Sequence, residues 1–389
     1  MRSAGGYFVG AGKPNFSTLP SVKALFKELD DIHGTEAQPM THGTRRMLVA
    51  IIRDTLPRLY GRKPYLLVRE TVDTLNNSVG CLRATESVGA VEGHGLAAND
   101  CFILKDLGTG EVSVELKLHD SKTHFDRWIN MIGVTKQSKL DVAGAYMDLF
   151  KQNGLTLFTG REGGFEYIQP DSWSVKLSLL GQPSGFAARL ERALAETART
   201  HKVLYPLVTR LVKYATDAYA ATTGGDAHKY VLLTEGAQAA SIHSCLMGNL
   251  VEWGLGKVGE EINLIPAPLL RATHNAGRVL TPMPYTYGAA YDSQRKLFDL
   301  AWTAANPTGD PDPEFDLQGH EVPRFGKHSW RRFGEKVARD SQHIHNMPPE
   351  EIDMYAGWDQ KEHDHDMQMH YAGQQRSHRV KRRLITSEI

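Results

Sequence analysis

Between residues 101 and 131 the apolar residues change their period, and that change limits what the chain can fold into. Val112-Ser113-Val114-Glu115-Leu116-Lys117-Leu118 alternates polar and apolar, as a half-buried antiparallel strand does. Residues 101–104 and 125–131 read as two further strands. They are set off by Gly108-Thr109-Gly110 and by the turn material from His119 to Thr123. On both sides of this patch the apolar spacing is helical. Upstream, a helix from Thr41 carries Met47, Leu48, Ile51 and Ile52, and a second runs near 65–75. Downstream, 139–306 reads as mostly helical, most clearly over 187–222, with Pro206 as a kink and Gly224-Gly225 as its stop. After a Pro-rich loop at 306–313, helices are predicted over 329–340, 349–355 and 364–371. The expectation is an α+β protein, mostly helical, with a small antiparallel three-stranded sheet and a long helical insertion.

Composition narrows the class. Across 389 residues, 41% are hydrophobic, enough for a real core and too many for wholesale disorder. No apolar run approaches the roughly 18 residues that a membrane span needs, and the start, Met1 to Gly6, has no apolar stretch of the secretory kind. Cys81, Cys101 and Cys245 are far apart and form no CxxC pair, so an intracellular compartment is expected rather than a disulfide scaffold. With 45 basic and 45 acidic residues, a wholly basic nucleic-acid coat is excluded, while a basic groove is not.

Five short stretches carry candidate chemistry. Arg83 and Glu86, three apart, form an ordinary helix pair when taken alone. Lys122 sits in the turn between two predicted strands. His328 and Arg331 share one helix face and suit an anionic oxygen. Gly357-Trp358 and His370-Tyr371 complete the series. Each is weak singly. In this order, and on these predicted elements, they resemble the tyrosine recombinase, or phage integrase, superfamily. The resemblance covers about 41–131 and 319–383 and leaves the middle of the chain outside it.

The resemblance implies metal-independent phosphoryl transfer on double-stranded DNA, with no cofactor and no metal. Arg83 and Arg331 would clamp the non-bridging oxygens through paired, charge-assisted hydrogen bonds. Tyr371 would be the nucleophile, leaving a 3′-phosphotyrosine link. A phenol ionises at about pH 10 in model peptides, so it depends on that cationic pocket. Lys122 would protonate the leaving 5′ oxygen, His328 would assist proton transfer, and Trp358 would supply packing and an indole N–H. Glu86 would steady the arginine or the histidine. DNA contacts are expected from Arg45, Arg46, Arg53, Arg324, Lys327, Arg332, Arg376 and Arg379. The expected divisions are an arm or linker at 1–40, a first part of the catalytic domain at 41–138, a mostly helical insertion at 139–310, and a second part with a basic tail at 311–389. The resemblance also implies assembly of several copies on DNA, with the segment after Tyr371 docking in trans. The use would be integration or transposition of a mobile element, in the nucleus of a eukaryotic host or otherwise in the cytoplasm or nucleoid. Two other outcomes stay open: an inactive DNA-binding protein that keeps the fold, and a type IB topoisomerase-like relaxing enzyme.

Three departures from the family pattern stand out. Trp358 and Tyr371 are 13 positions apart, about one helical turn more than the pattern has. Lys122 and His328 are 206 apart, which creates the long middle region. The stretch before Thr41 is too short for the N-terminal helical clamp that relatives carry, so either the chain is a fragment or another part supplies the clamp. Gly10-Ala11-Gly12-Lys13 lacks the phosphate-loop spacing. His363 and His365, two apart, cannot share a helix face as metal ligands.

Overall fold

The computed structural model describes residues 44–88, 96–118, 127–171, 173–178, 228–233, 263–274, 277, 279–305, 326–346 and 383–389, with a few helical positions between 192 and 200. Thr44 opens the first helix, its hydroxyl accepting Met47 N at 3.2 Å. This helix, α1 (Arg45–Ala50), runs through a π-helical turn at Ile51–Thr55 into α2 (Leu56–Tyr60). Pro57 has no N–H to give the turn before it, and the wider π turn absorbs that loss without breaking the rod. Pro64 opens α3 (Pro64–Ser78), whose last ten residues, 69–78, are buried except at Thr71. Cys81 then takes a left-handed φ of 50° and turns the chain into the short helix α4 (Ala84–Ser87).

The three expected strands are present: β1 (Cys101–Asp106), β2 (Val112–Leu118) and β3 (Arg127–Ile132), paired antiparallel in sequence order. Their sheet is larger than the sequence suggested. β4 (Thr156–Glu162) and β5 (Phe165–Asp171) join it, giving the order β3-β2-β1-β5-β4. Glu162 pairs with Phe165 across Gly163 and Gly164, with φ of 56° and 85°, a two-residue primed hairpin turn. The middle region is therefore not simply a helical insertion. Among its described residues it also holds a sheet of order β7-β6-β8, made of β6 (Trp173–Ser178), β7 (His228–Leu233) and β8 (Asn263–Pro266). A ribbon of β9 (Arg271–His274) and β10 (Val279–Pro284) follows. The predicted helix over 187–222 lies largely outside the described residues.

The helices of this region, α5 (Val142–Gln152) and α6 (Tyr287–Ala305), belong to the main core rather than to an appendage. Tyr146, Leu149 and Phe150 from α5, and Leu297 and Phe298 from α6, pack in one cluster with Val72 and Leu75 of α3 and Val114, Leu116, Ile129 and Met131 of the sheet. Tyr65 ties α3 to β9: its hydroxyl accepts Arg271 N at 2.7 Å and donates to Arg271 O at 3.1 Å. Burial pushes that phenol up to about 12. The last helix, α7 (Lys327–His345), lies against α3 and α6.

Residues 383–389 return to the sheet of their own chain. Thr386 Oγ1 accepts Ile132 N at 2.9 Å, Ser387 O accepts Lys136 N at 2.8 Å, and Arg383 pairs with Glu111 at 2.8 Å and Asp106 at 3.7 Å. Ile385 and Ile389 are buried. The expected trans-docking segment thus has its described end seated in cis. Among the described residues no helix is long and apolar enough to cross a membrane.

Candidate active site

Arg83 stands at the N-cap of α4 with extended backbone, and Glu86 holds it twice. Glu86 Oε2 accepts the Arg83 backbone N–H at 2.7 Å, and Oε1 accepts Arg83 Nη1 at 2.9 Å. The reciprocal bond at the helix start explains why a glutamate stands three residues after the arginine. It also aims the guanidinium.

The second arginine comes from α7. Gly326 caps that helix: its N–H donates to Ser329 Oγ at 3.0 Å, and its carbonyl accepts Ser329 N at 2.8 Å. Trp330 stacks on Phe298 with ring centroids 4.7 Å apart and donates its indole N–H to Gln294 Oε1 at 3.1 Å. Between these anchors Arg331 is buried, its Nε 2.7 Å from Glu335 Oε1 one turn on. His328 lies on the outer side of the same helix. Partial desolvation, and then the cations Arg331 and Arg332, hold its imidazole below the usual histidine range. His328, Arg332, Lys336 and Arg339 follow one another at helical spacing, with Lys336 and Arg339 exposed, so a basic stripe leads away from the site.

The two arginine segments, 248 positions apart, are in contact. Cys81 Sγ, two residues before Arg83, lies 3.8 Å from the carbonyl oxygen of Arg331. Beneath that contact is a buried polar network that the sequence reading missed. Glu70 Oε1 accepts Arg69 Nη2 at 2.7 Å and Tyr285 OH at 2.9 Å, and its Oε2 accepts Ser293 Oγ at 2.8 Å. The Arg69 guanidinium stacks over the Tyr285 ring at 3.6 Å. Asp73 Oδ1 accepts Lys327 Nζ at 2.8 Å and Ser87 Oγ at 2.7 Å. Ser87 in turn accepts Asn76 Nδ2 at 3.1 Å, and Asn76 Oδ1 accepts the Tyr146 hydroxyl. Two carboxylates three apart among Leu66, Val72 and Leu75 were the available signal, since such groups are rarely buried without partners.

Other expected residues fall differently. Lys327 was read as a DNA contact, but its side chain is wholly buried against Asp73, so its ammonium cannot face a duplex. Arg45 donates to the carbonyls of Ile389 at 3.1 Å and Glu388 at 2.7 Å. Arg53 donates to those of Ser138 and Lys139, both at 2.9 Å. These arginines tie down backbone as well as adding charge, while Arg46 is exposed on α1. Lys122, Trp358 and Tyr371, with Arg324, Arg376 and Arg379, lie outside the described residues. No protein-family model, curated protein or solved structure matches the chain.

Proposed function

We propose that the protein cleaves and rejoins duplex DNA as tyrosine recombinases do, serving the integration or transposition of a mobile element. The observation that carries this reading is the meeting of two arginine segments far apart in sequence, one steadied by Glu86 and one beside His328. Two fixed guanidiniums suit the charge that builds on a phosphodiester during in-line displacement. In this reading the Tyr371 oxygen forms a bond to phosphorus as the bond to the 5′ oxygen breaks. The leaving oxygen takes a proton from Lys122, and the phosphotyrosine conserves the bond energy for rejoining. A neutral His328 accepts the phenolic proton. The stripe Arg332, Lys336 and Arg339 supports phosphate contacts along the duplex.

The test is to offer a pool of nicked duplexes of randomised sequence and recover DNA that stays attached to protein in detergent. The wild-type chain should yield adducts, and Tyr371→Phe should yield none while still binding. Adducts that persist in Tyr371→Phe and vanish in Tyr355→Phe would move the nucleophile. Binding without any adduct would favour an inactive DNA-binding protein with this architecture.

A further inference from the structure

We propose that Asp73 is the positioning residue that sets the spacing of the two arginine segments, an inference that rests on the phosphoryl-transfer reading above. One oxygen, Asp73 Oδ1, receives the Lys327 ammonium at 2.8 Å and the Ser87 hydroxyl at 2.7 Å. Ser87 is the last residue of the helix that Arg83 opens, and Lys327 is the first residue of the helix that carries His328 and Arg331. A single carboxylate therefore grips both halves of the clamp, each within a few residues of its arginine. Its second oxygen lies 3.5 Å from Gln294 Nε2, and Gln294 also holds the Trp330 indole.

Other contacts of these segments constrain α7 less sharply. The Cys81 thiol is a weak donor, and its 3.8 Å approach to Arg331 O is a loose tie. The apolar stack of Trp330 on Phe298 fixes depth without fixing register. Charge-assisted bonds at under 3 Å fix both. Asp73, Lys327 and Ser87 are all buried, so removing one partner leaves a polar group in the interior short of a hydrogen bond. A clamp for one phosphate tolerates little error, because a misplacement of about 1 Å costs on the order of a hundredfold in rate.

The experiment measures the spacing directly. Spin labels go on Thr85→Cys and Lys336→Cys, both at exposed positions, in a chain with Cys245→Ser; buried Cys81 and Cys101 are shielded from the label. Pulsed dipolar spectroscopy then compares the parent with Ser87→Ala, Ser87→Thr and the paired change Asp73→Leu with Lys327→Met. The expected result is a shifted or broadened distance in Ser87→Ala and in the paired variant, and a near-parent distance in Ser87→Thr, which keeps the hydroxyl. On the nicked-duplex pool, Ser87→Ala should form adduct about a hundredfold more slowly, with affinity for DNA within threefold and with recovery in Ser87→Thr. Unchanged distances in both Ser87→Ala and the paired variant would overturn the proposal. If the parent forms no adduct, the DNA-cleaving reading fails, while the distances still decide whether Asp73 sets the spacing.

Discussion

Gly334 lies so close to Cys81 that a methyl group on its Cα would sit 2.4 Å from the sulfur and 2.3 Å from the Ser78 carbonyl oxygen. Helix α7 therefore crosses the end of α3 at the closest approach a backbone allows, one turn below Arg331. A glycine here serves contact between elements rather than backbone freedom.

Gly334→Ala should drive α7 off the Cys81 turn, because the obstructing Ser78 oxygen is backbone and cannot swing aside. Overpacking of this kind costs about 1–3 kcal/mol. Urea unfolding at equilibrium checks it; a variant as stable as the parent would mean that α7 can shift freely.

Lys327 and Asp73 should show strong coupling in a double-mutant cycle. Lys327→Met or Asp73→Leu alone leaves a buried charge without its partner, at a cost of about 3–5 kcal/mol. The two together should cost far less than the sum, since apolar side chains of similar volume replace the pair. Additive losses would show that the pair does not interact as its 2.8 Å separation requires.

His328 should titrate below the ordinary histidine midpoint of about 6.5. Burial and nearby cations disfavour its protonated form in the folded state, so the unfolded chain binds the proton more readily. The contribution to stability is then present above the unfolded midpoint and is lost as pH falls through it toward the folded one. The imidazole C–H resonances followed by NMR give the midpoint directly, and Arg332→Gln should move it upward.

Truncation after residue 382 should weaken the lone chain. Ile385 and Ile389 are both fully buried in cis, and such side chains contribute about 1.5–3 kcal/mol each. The melting temperature of the dilute protein should drop well below that of the full chain. No drop, together with lost pairing of DNA-bound copies, would return the segment to the trans role that the family resemblance implies.

β1, β2 and β3 were legible because residue types alternate strictly along β2 and good turn residues bound it, although Ser113 and Glu115 are buried as well. The α3 and α7 helices were legible from their apolar spacing. The β4–β5 hairpin was missed although Gly163-Gly164 marks its turn, because β4 has an irregular exposure pattern at the sheet edge and gives little period-two signal. Arg83, Glu86, His328 and Arg331 stood out in the sequence because their residue types fit a recognisable chemistry, and the fold brings their two segments into contact. Asp73 did not stand out, since its partners Ser87, Gln294 and Lys327 come from other elements and only the tertiary fold reveals them. Lys327 was misread for the same reason: one basic residue among several on a helix start looks solvated until packing shows otherwise.

The long separation between Asp73 and Lys327 also governs when the protein becomes competent during synthesis. Glu70 and Asp73 leave the ribosome early, while Tyr285, Ser293, Gln294 and Lys327, which satisfy them, follow 215 to 254 positions later. Until those arrive, α3 cannot be sealed in a dry interior without leaving two carboxylates short of partners, and it stays hydrated. A nascent chain thus carries Arg83 and β1 to β3 before α7 can pack against α3, and the buried network is complete only once α7 has emerged.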